Sequence, residues 1–237
     1  MESLKGKKVL LIGATGGIGA PLVKLLQGSG ASIYVTGRNM AKLAAVSEQA
    51  GVHSGRQFQL DITNELAINE TIAIIQQDGP IDILINAAGI GMIKTMDTLT
   101  TEDFLRTLQV NLIGSFWVTK AVLPAMKETK KGLIIHIPGV LGKVPMLGAA
   151  AYSASKYGLV GMMQSIREEL KRTEIRITNL FLGGVDSPFW DNIDLRVQRD
   201  KMVVAEEAAK AVWFLCQQPA SAIVSEMVLQ PFNHQAI

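Results

Sequence analysis

Lys8-Val9-Leu10-Leu11-Ile12-Gly13-Ala14-Thr15-Gly16-Gly17-Ile18-Gly19 decides the fold. Lys8 followed by four apolar residues and no glycine reads as a buried strand, and the glycines that follow read as a tight turn. The apolar pattern resumes at Leu22 and continues through Val23, Leu25 and Leu26, so a helix follows the turn. A strand that runs through glycines into a helix brings bare backbone and the helix N-terminus to one point. That point suits a phosphate group, because the first N–H groups of a helix are free and carry partial positive charge. The spacing is Gly13-x-x-x-Gly17-x-Gly19, not Gly-x-Gly-x-x-Gly, since Leu22 stands where a third glycine would fall.

The same alternation repeats along the chain. Ser32-Ile33-Tyr34-Val35-Thr36, Gln57-Phe58-Gln59-Leu60, Ile81-Asp82-Ile83-Leu84-Ile85 and Leu133-Ile134-Ile135-His136-Ile137 read as further strands. Residues 175–181 and Glu226-Met227-Val228-Leu229 complete the set. Helical patterns fall over 21–27, 41–49, 65–76, 102–128, 152–172 and 205–217. Strands that are apolar throughout belong to a parallel sheet covered on both faces. Regular strand–helix alternation makes this a doubly wound α/β fold of the Rossmann type. No repeat or linker divides the 237 residues, so the expected organisation is a single domain over 1–237.

Composition narrows the function classes. With 23 Lys+Arg against 21 Asp+Glu, the formal charge is +2. So small an excess argues against nucleic acid or anionic lipid as partner. Lys127, Lys130 and Lys131 cluster at a helix end, where cations suit the dipole. Cys216 is the single cysteine, and His53, His136 and His234 show no ligand spacing, so no metal site is expected. The basic start and the short apolar run of 9–14 stop well short of a signal or membrane segment. A reducing, cytoplasmic location is the matching expectation.

Candidate binding residues follow the strand ends, where open α/β sheets hold ligands. Arg38, just after Gly37, offers a guanidinium to a ribose 2′-phosphate, and no acidic residue stands there for a bare 2′-hydroxyl. This favours NADP(H) over NAD(H). Asp61-Ile62 and Asn86-Ala87-Ala88-Gly89 close two further strands. Tyr152 and Lys156 are four apart at the start of a helix and so share a face. A nearby ammonium favours phenolate and is expected to lower the tyrosine pKa. Such a tyrosine can exchange a proton with an alcohol or a carbonyl.

Taken together, these segments resemble the short-chain dehydrogenase/reductase family over nearly the full chain. The resemblance rests on Gly13-x-x-x-Gly17-x-Gly19, Asn86-Ala-Ala-Gly89, Asn111-Leu-Ile-Gly114, Tyr152-x-x-x-Lys156 and Gly183-Gly-Val185-Asp-Ser187-Pro. It implies a seven-stranded sheet and hydride transfer between a nicotinamide and a small-molecule carbonyl or alcohol. By that resemblance Tyr152 is the general acid/base, Lys156 holds the nicotinamide ribose and Asn111 orders a water in a proton relay. Gly13, Thr15, Gly17, Ile18, Gly19, Arg38, Asp61, Ile62, Asn86, Ala87, Gly89, Tyr152 and Lys156 would line the cofactor, with Val185 and Ser187 beside the carboxamide. It also implies a homodimer or homotetramer paired through the helices of 102–128 and 152–172.

The chain departs from the family at one position that bears on chemistry. A serine is expected thirteen residues before the tyrosine, and Gly139 stands there. No serine occurs between Phe116 and Tyr152. Loss of one donor to the substrate oxygen typically costs about 3–4 kcal/mol, or roughly 100–1000-fold in rate. His136 is no substitute, since strand alternation turns it away from Gly139, and it reads as a packed histidine. Two readings therefore stand: an NADP(H)-dependent carbonyl reductase, or a weakly active or inactive dinucleotide-binding regulatory protein. A short lid over 187–204 should carry Phe189, Trp190 and Leu195 into an apolar pocket with Val140, Leu141 and Met146. Lys143 or Arg196 would be the cation able to reach a substrate carboxylate.

Overall fold

Strand β1, Lys8–Ile12, is buried at every residue, and alternate side chains serve opposite layers. Val9 and Leu11 pack with Leu22 and Leu26 of helix α1 (Gly19–Gly28) and Val212 of helix α7 (Ala205–Cys216). Leu10 and Ile12 pack instead with Ile68, Ile72 and Ile75 of helix α3 (Glu65–Gln76). The second layer continues through Val118 and Val122 of helix α5 (Gly114–Thr129) and Leu159 and Met163 of helix α6 (Ala150–Glu169). One strand thus feeds two cores, which is why it reads as uninterrupted apolar sequence.

The computed structural model describes residues 1–193, 195–219 and 221–233; His234 lies outside the described residues. Its main sheet has seven strands in the order β3-β2-β1-β4-β5-β6-β9. They are β3 (Gln57–Gln59), β2 (Ser32–Gly37), β1, β4 (Ile83–Asn86), β5 (Lys131–His136), β6 (Glu174–Leu182) and β9 (Glu226–Leu229). Every pairing is parallel. The order reverses between β1 and β4, and the crevice beyond their carboxyl ends is where such sheets hold ligands.

Three local results differ from the sequence reading. The single helix expected over 102–128 is helix α4 (Thr101–Leu108), a π-helical turn at Gln109–Ile113 and α5. The helix expected over 152–172 starts two residues earlier and ends at Glu169. The segment after β6 adds two short parallel strands, β7 (Val185–Asp186) and β8 (Val203–Val204). Helix α2 (Met40–Ala50) is capped by the Asn39 side chain and closed by Gly51. Among the described residues no helix is long and apolar enough to cross a membrane.

Candidate active site

The glycine turn forms a cradle between β1 and α1. Gly13 has φ +84°, and a Cβ there would lie 2.8 Å from the Ala88 nitrogen. A Cβ on Gly17 would lie 2.3 Å from the Ser187 Cβ, and one on Gly19 would strike the Gly13 carbonyl. Side chains are therefore excluded where backbone must approach a ligand. Helix α1 has no capping side chain at Ile18 and no acidic residue in its first turn. Its N-terminal donors remain suited to an anion such as a pyrophosphate.

At the outer end of the cradle, Arg38 is exposed, and Thr15 lies against Gly37. Asp61, just beyond β3, accepts from the Thr63 backbone N–H at 2.9 Å and its hydroxyl at 2.8 Å. Partial burial would raise the Asp61 pKa, but these two bonds and the Arg38 charge hold it below the ordinary value. Ile62 is buried against Gly114 and acts as packing.

Tyr152 and Lys156 project from the first two turns of α6, one above the other. The Lys156 ammonium is 5.4 Å from the Tyr152 ring centroid and donates to the Ile137 carbonyl at 3.2 Å. Burial lowers the Lys156 pKa to about 8. Burial also raises the Tyr152 pKa above its ordinary value, reversing the expected lowering by Lys156. Desolvation penalises the phenolate, so the neutral phenol is favoured. That is the form able to donate a proton.

Asn111 lies inside the π turn, a feature found frequently at functional sites. Its Oδ1 accepts from the Ile90 N–H at 2.9 Å, and its Nδ2 donates to the Ile90 carbonyl at 3.0 Å. The same Nδ2 donates to the Ser155 hydroxyl at 3.0 Å, which donates to the Tyr152 carbonyl at 2.7 Å. Ser155, whose importance no spacing reveals, thus joins the asparagine to the tyrosine helix. Gly89 sits where a Cβ would lie 3.2 Å from Asn111 Oδ1 and 3.5 Å from the Lys156 ammonium.

A second polar layer lies beneath. Asn86 Nδ2 donates to the Ser115 hydroxyl at 2.8 Å, and Ser115 donates to the Asn111 carbonyl at 2.8 Å. Asn86 Oδ1 accepts from the Ala88 N–H at 3.2 Å, so this side chain is engaged within the protein and not toward the crevice. His136 is fully buried, with Nε2 3.1 Å from the Thr119 hydroxyl and Nδ1 3.5 Å from Asn86 Nδ2. Thr119 already donates to the Ser115 carbonyl at 2.7 Å, so it accepts from His136, which fixes the proton on Nε2. Burial first, and then the Lys156 charge, push the His136 pKa down to about 3.

Gly139 has φ +71° and ψ 169°, a region that side-chain-bearing residues rarely enter. Val185, on β7, and Ser187, just after it, are both buried, and Ser187 lies against Gly17 of the glycine cradle. Lys143 does not face a substrate carboxylate: its ammonium is 2.5 Å from Glu226 and 4.4 Å from the Phe181 ring centroid. Among the described residues no group of three or more His, Cys, Asp or Glu stands ready for a metal.

The turn, the crevice and the Asn111–Tyr152–Lys156 group lie together at the carboxyl ends of the central strands, where open α/β sheets hold ligands. The chain belongs to the short chain dehydrogenase family, whose pattern it matches over residues 7–198. It is 31% identical to an uncharacterized oxidoreductase of Staphylococcus epidermidis, over 98% of this chain and 100% of that one. An alcohol dehydrogenase from Thermococcus sibiricus complexed with 5-hydroxy-NADP shares the fold. It has a TM-score of 0.88 and 22% identity, covering 98% of this chain and 100% of that one. A metagenomic short-chain oxidoreductase in complex with NADP has a TM-score of 0.82 and 28% identity, covering 98% and 100%.

Proposed function

We propose that the protein is an NADP(H)-dependent carbonyl reductase. The observation that carries the reading is the linked group Asn111–Ser155–Tyr152 with Lys156 beside it, set at the carboxyl ends of β4 and β5. The glycine cradle fits a dinucleotide pyrophosphate, and Arg38 fits a 2′-phosphate at the outer end. The metagenomic relative in complex with NADP supports the same cofactor class. When bound, the nicotinamide supplies the hydride for reduction.

The remaining chemistry belongs to the chain. Tyr152, held as the neutral phenol, gives its proton to the carbonyl oxygen as charge develops there. Lys156, anchored on the Ile137 carbonyl, presents its ammonium to the phenolate that results. Asn111 is held by Ile90 and Ser155 and fixes the π turn at the site's edge. Ser187 lies against Gly17 and closes the cradle there, two residues after the buried Val185. Gly139 removes the serine donor, so turnover is expected to be slow by about 100–1000-fold against a serine-bearing site.

That missing donor also supports a second reading, a dinucleotide-binding regulatory protein with little turnover. NADPH consumption over a panel of ketones and aldehydes separates the two. The reductase reading expects turnover that Tyr152→Phe reduces by about 100-fold or more, with NADPH affinity by calorimetry changed less than about 2-fold. Turnover untouched by Tyr152→Phe refutes the mechanism, and tight NADPH binding with no turnover on any carbonyl favours the regulatory protein.

A further inference from the structure

The segment after β6 is braced. Arg199 donates through Nε to Asp186 at 2.6 Å, through one terminal nitrogen to Asp191 at 2.8 Å and through the other to the Ser187 carbonyl at 2.9 Å. Trp190 Nε1 donates to the Val185 carbonyl at 2.8 Å. The β7–β8 pair lies at the base. These ties fix the short helix Pro188–Asn192 and, with it, the direction of Phe189.

The Phe189 ring reaches into the site. Its centroid is 5.9 Å from that of Tyr152 at a tilt of 49°, and 5.2 Å from that of Trp190 in an edge-on contact of 82°. On its other side it rests on Gly91, where a Cβ would lie 2.3 Å from Phe189 Cζ. The ring therefore bridges the loop after β4 and the proton donor. A carbonyl oxygen must come within about 2.6–3.2 Å of the Tyr152 hydroxyl to take its proton. The groups carried on that carbonyl then fall within a few ångströms of the Tyr152 ring, against Phe189.

We infer that Phe189 is a specificity-determining residue, and that the site takes uncharged carbonyl compounds bearing an aryl group beside the carbonyl. The inference rests on the carbonyl-reductase reading. A flat group stacks or packs edge-on against Phe189, whereas a saturated ring of the same size loses that geometry. Of the cations around the site, Lys143 is paired with Glu226, Arg199 with Asp186 and Asp191, and Lys156 donates to the Ile137 carbonyl, while Arg196 is exposed.

The test is calorimetry of acetophenone, cyclohexyl methyl ketone and 4-acetylbenzoate on the NADP+-loaded protein, paired with NADPH turnover of the same three. An aromatic pair contributes about 2–10-fold in affinity beyond its buried area. Wild type should prefer acetophenone to the saturated ketone by that factor and to the benzoate by more. Phe189→Ala should abolish the first preference, and Phe189→Tyr should retain it. Gly91→Ala, which displaces the ring tip without altering it, should weaken the preference, with the fold checked by circular dichroism. An unchanged ratio in Phe189→Ala, or tighter binding of the benzoate in wild type, overturns the inference. If no carbonyl consumes NADPH, the reductase reading fails on that ground, while the binding ratios still decide the role of Phe189.

Discussion

On the proposed reductase reading, replacing Gly139 by serine would put back a missing hydroxyl, and the backbone predicts that it fails. The residue has φ +71° and ψ 169°, a conformation essentially confined to glycine. Space is not the obstacle, because the nearest atom to an added Cβ is the Leu182 carbonyl oxygen at 3.4 Å. The cost is torsional, about 1–3 kcal/mol. For a chain of this size that lowers the melting temperature by about 2–12 °C, at roughly 2–4 °C per kcal/mol. Gly139→Ala shares the Cβ and should fall by the same amount. The added Cβ points toward Leu182, so the serine hydroxyl is expected to bond that carbonyl and leave the substrate oxygen unaided. Urea unfolding should show a lower midpoint with an unchanged slope, and NADPH turnover should not rise. A Gly139→Ser protein as stable as wild type and about 100-fold faster refutes the reasoning, because the backbone would then have found an ordinary conformation at no cost.

Arg38→Ala should weaken NADPH binding about tenfold or more while leaving NADH within about 2-fold, read by calorimetry; equal losses for both would remove the 2′-phosphate argument. Lys156, with its pKa lowered to about 8 from 10.5, binds fewer protons folded than unfolded between those values. Wild-type stability should therefore rise relative to Lys156→Met as pH climbs through that window, while turnover that needs the ammonium falls above about pH 8. His136 runs the same way at acid pH: held neutral down to about 3, it costs stability as pH drops below 6.5, and His136→Asn should flatten that loss in thermal melts. Pairing of copies through 102–128 and 152–172 is checked by light scattering, where exposed Leu105 and Phe116 give the probe. Leu105→Glu with Phe116→Glu should yield monomers, and a wild-type monomer contradicts the pairing.

Sequence carried the elements whose cause is local. The strands Lys8–Ile12 and Glu226–Leu229 and the helix Glu65–Gln76 have the expected bounds, because short apolar runs and helical periodicity mark them directly. The π turn escaped because the apolar pattern runs on through it. What accompanies it is the Asn111 amide bonding both backbone groups of Ile90, 21 residues away. β7 and β8 are two residues each, too short for any alternation to register. Lys143 looked available because its partner, Glu226, lies 83 residues along the chain. Tyr152 and Lys156 were readable as a pair, but the direction of the tyrosine shift was not, since burial depends on Phe189 and the rest of the fold closing over it.

The hydrogen bonds beneath the site give these separate residues a common consequence. From Asn86 the chain passes through Ser115 to the Asn111 carbonyl, and from the Asn111 amide through Ser155 to the carbonyl of Tyr152. His136 and Thr119 close the lower side as neutral partners. Together these bonds tie five elements: β4, the π turn, α5, α6 and β5. Tyr152 is thus located by a floor of satisfied polar groups, and beside it stands a wall, Phe189, located by Arg199 and Trp190. A site with both surfaces fixed before substrate arrives discriminates by shape and not by charge. On the proposed reductase reading, packing of this kind is what would align a substrate without the serine hydroxyl, because orientation is supplied where a hydrogen bond is missing.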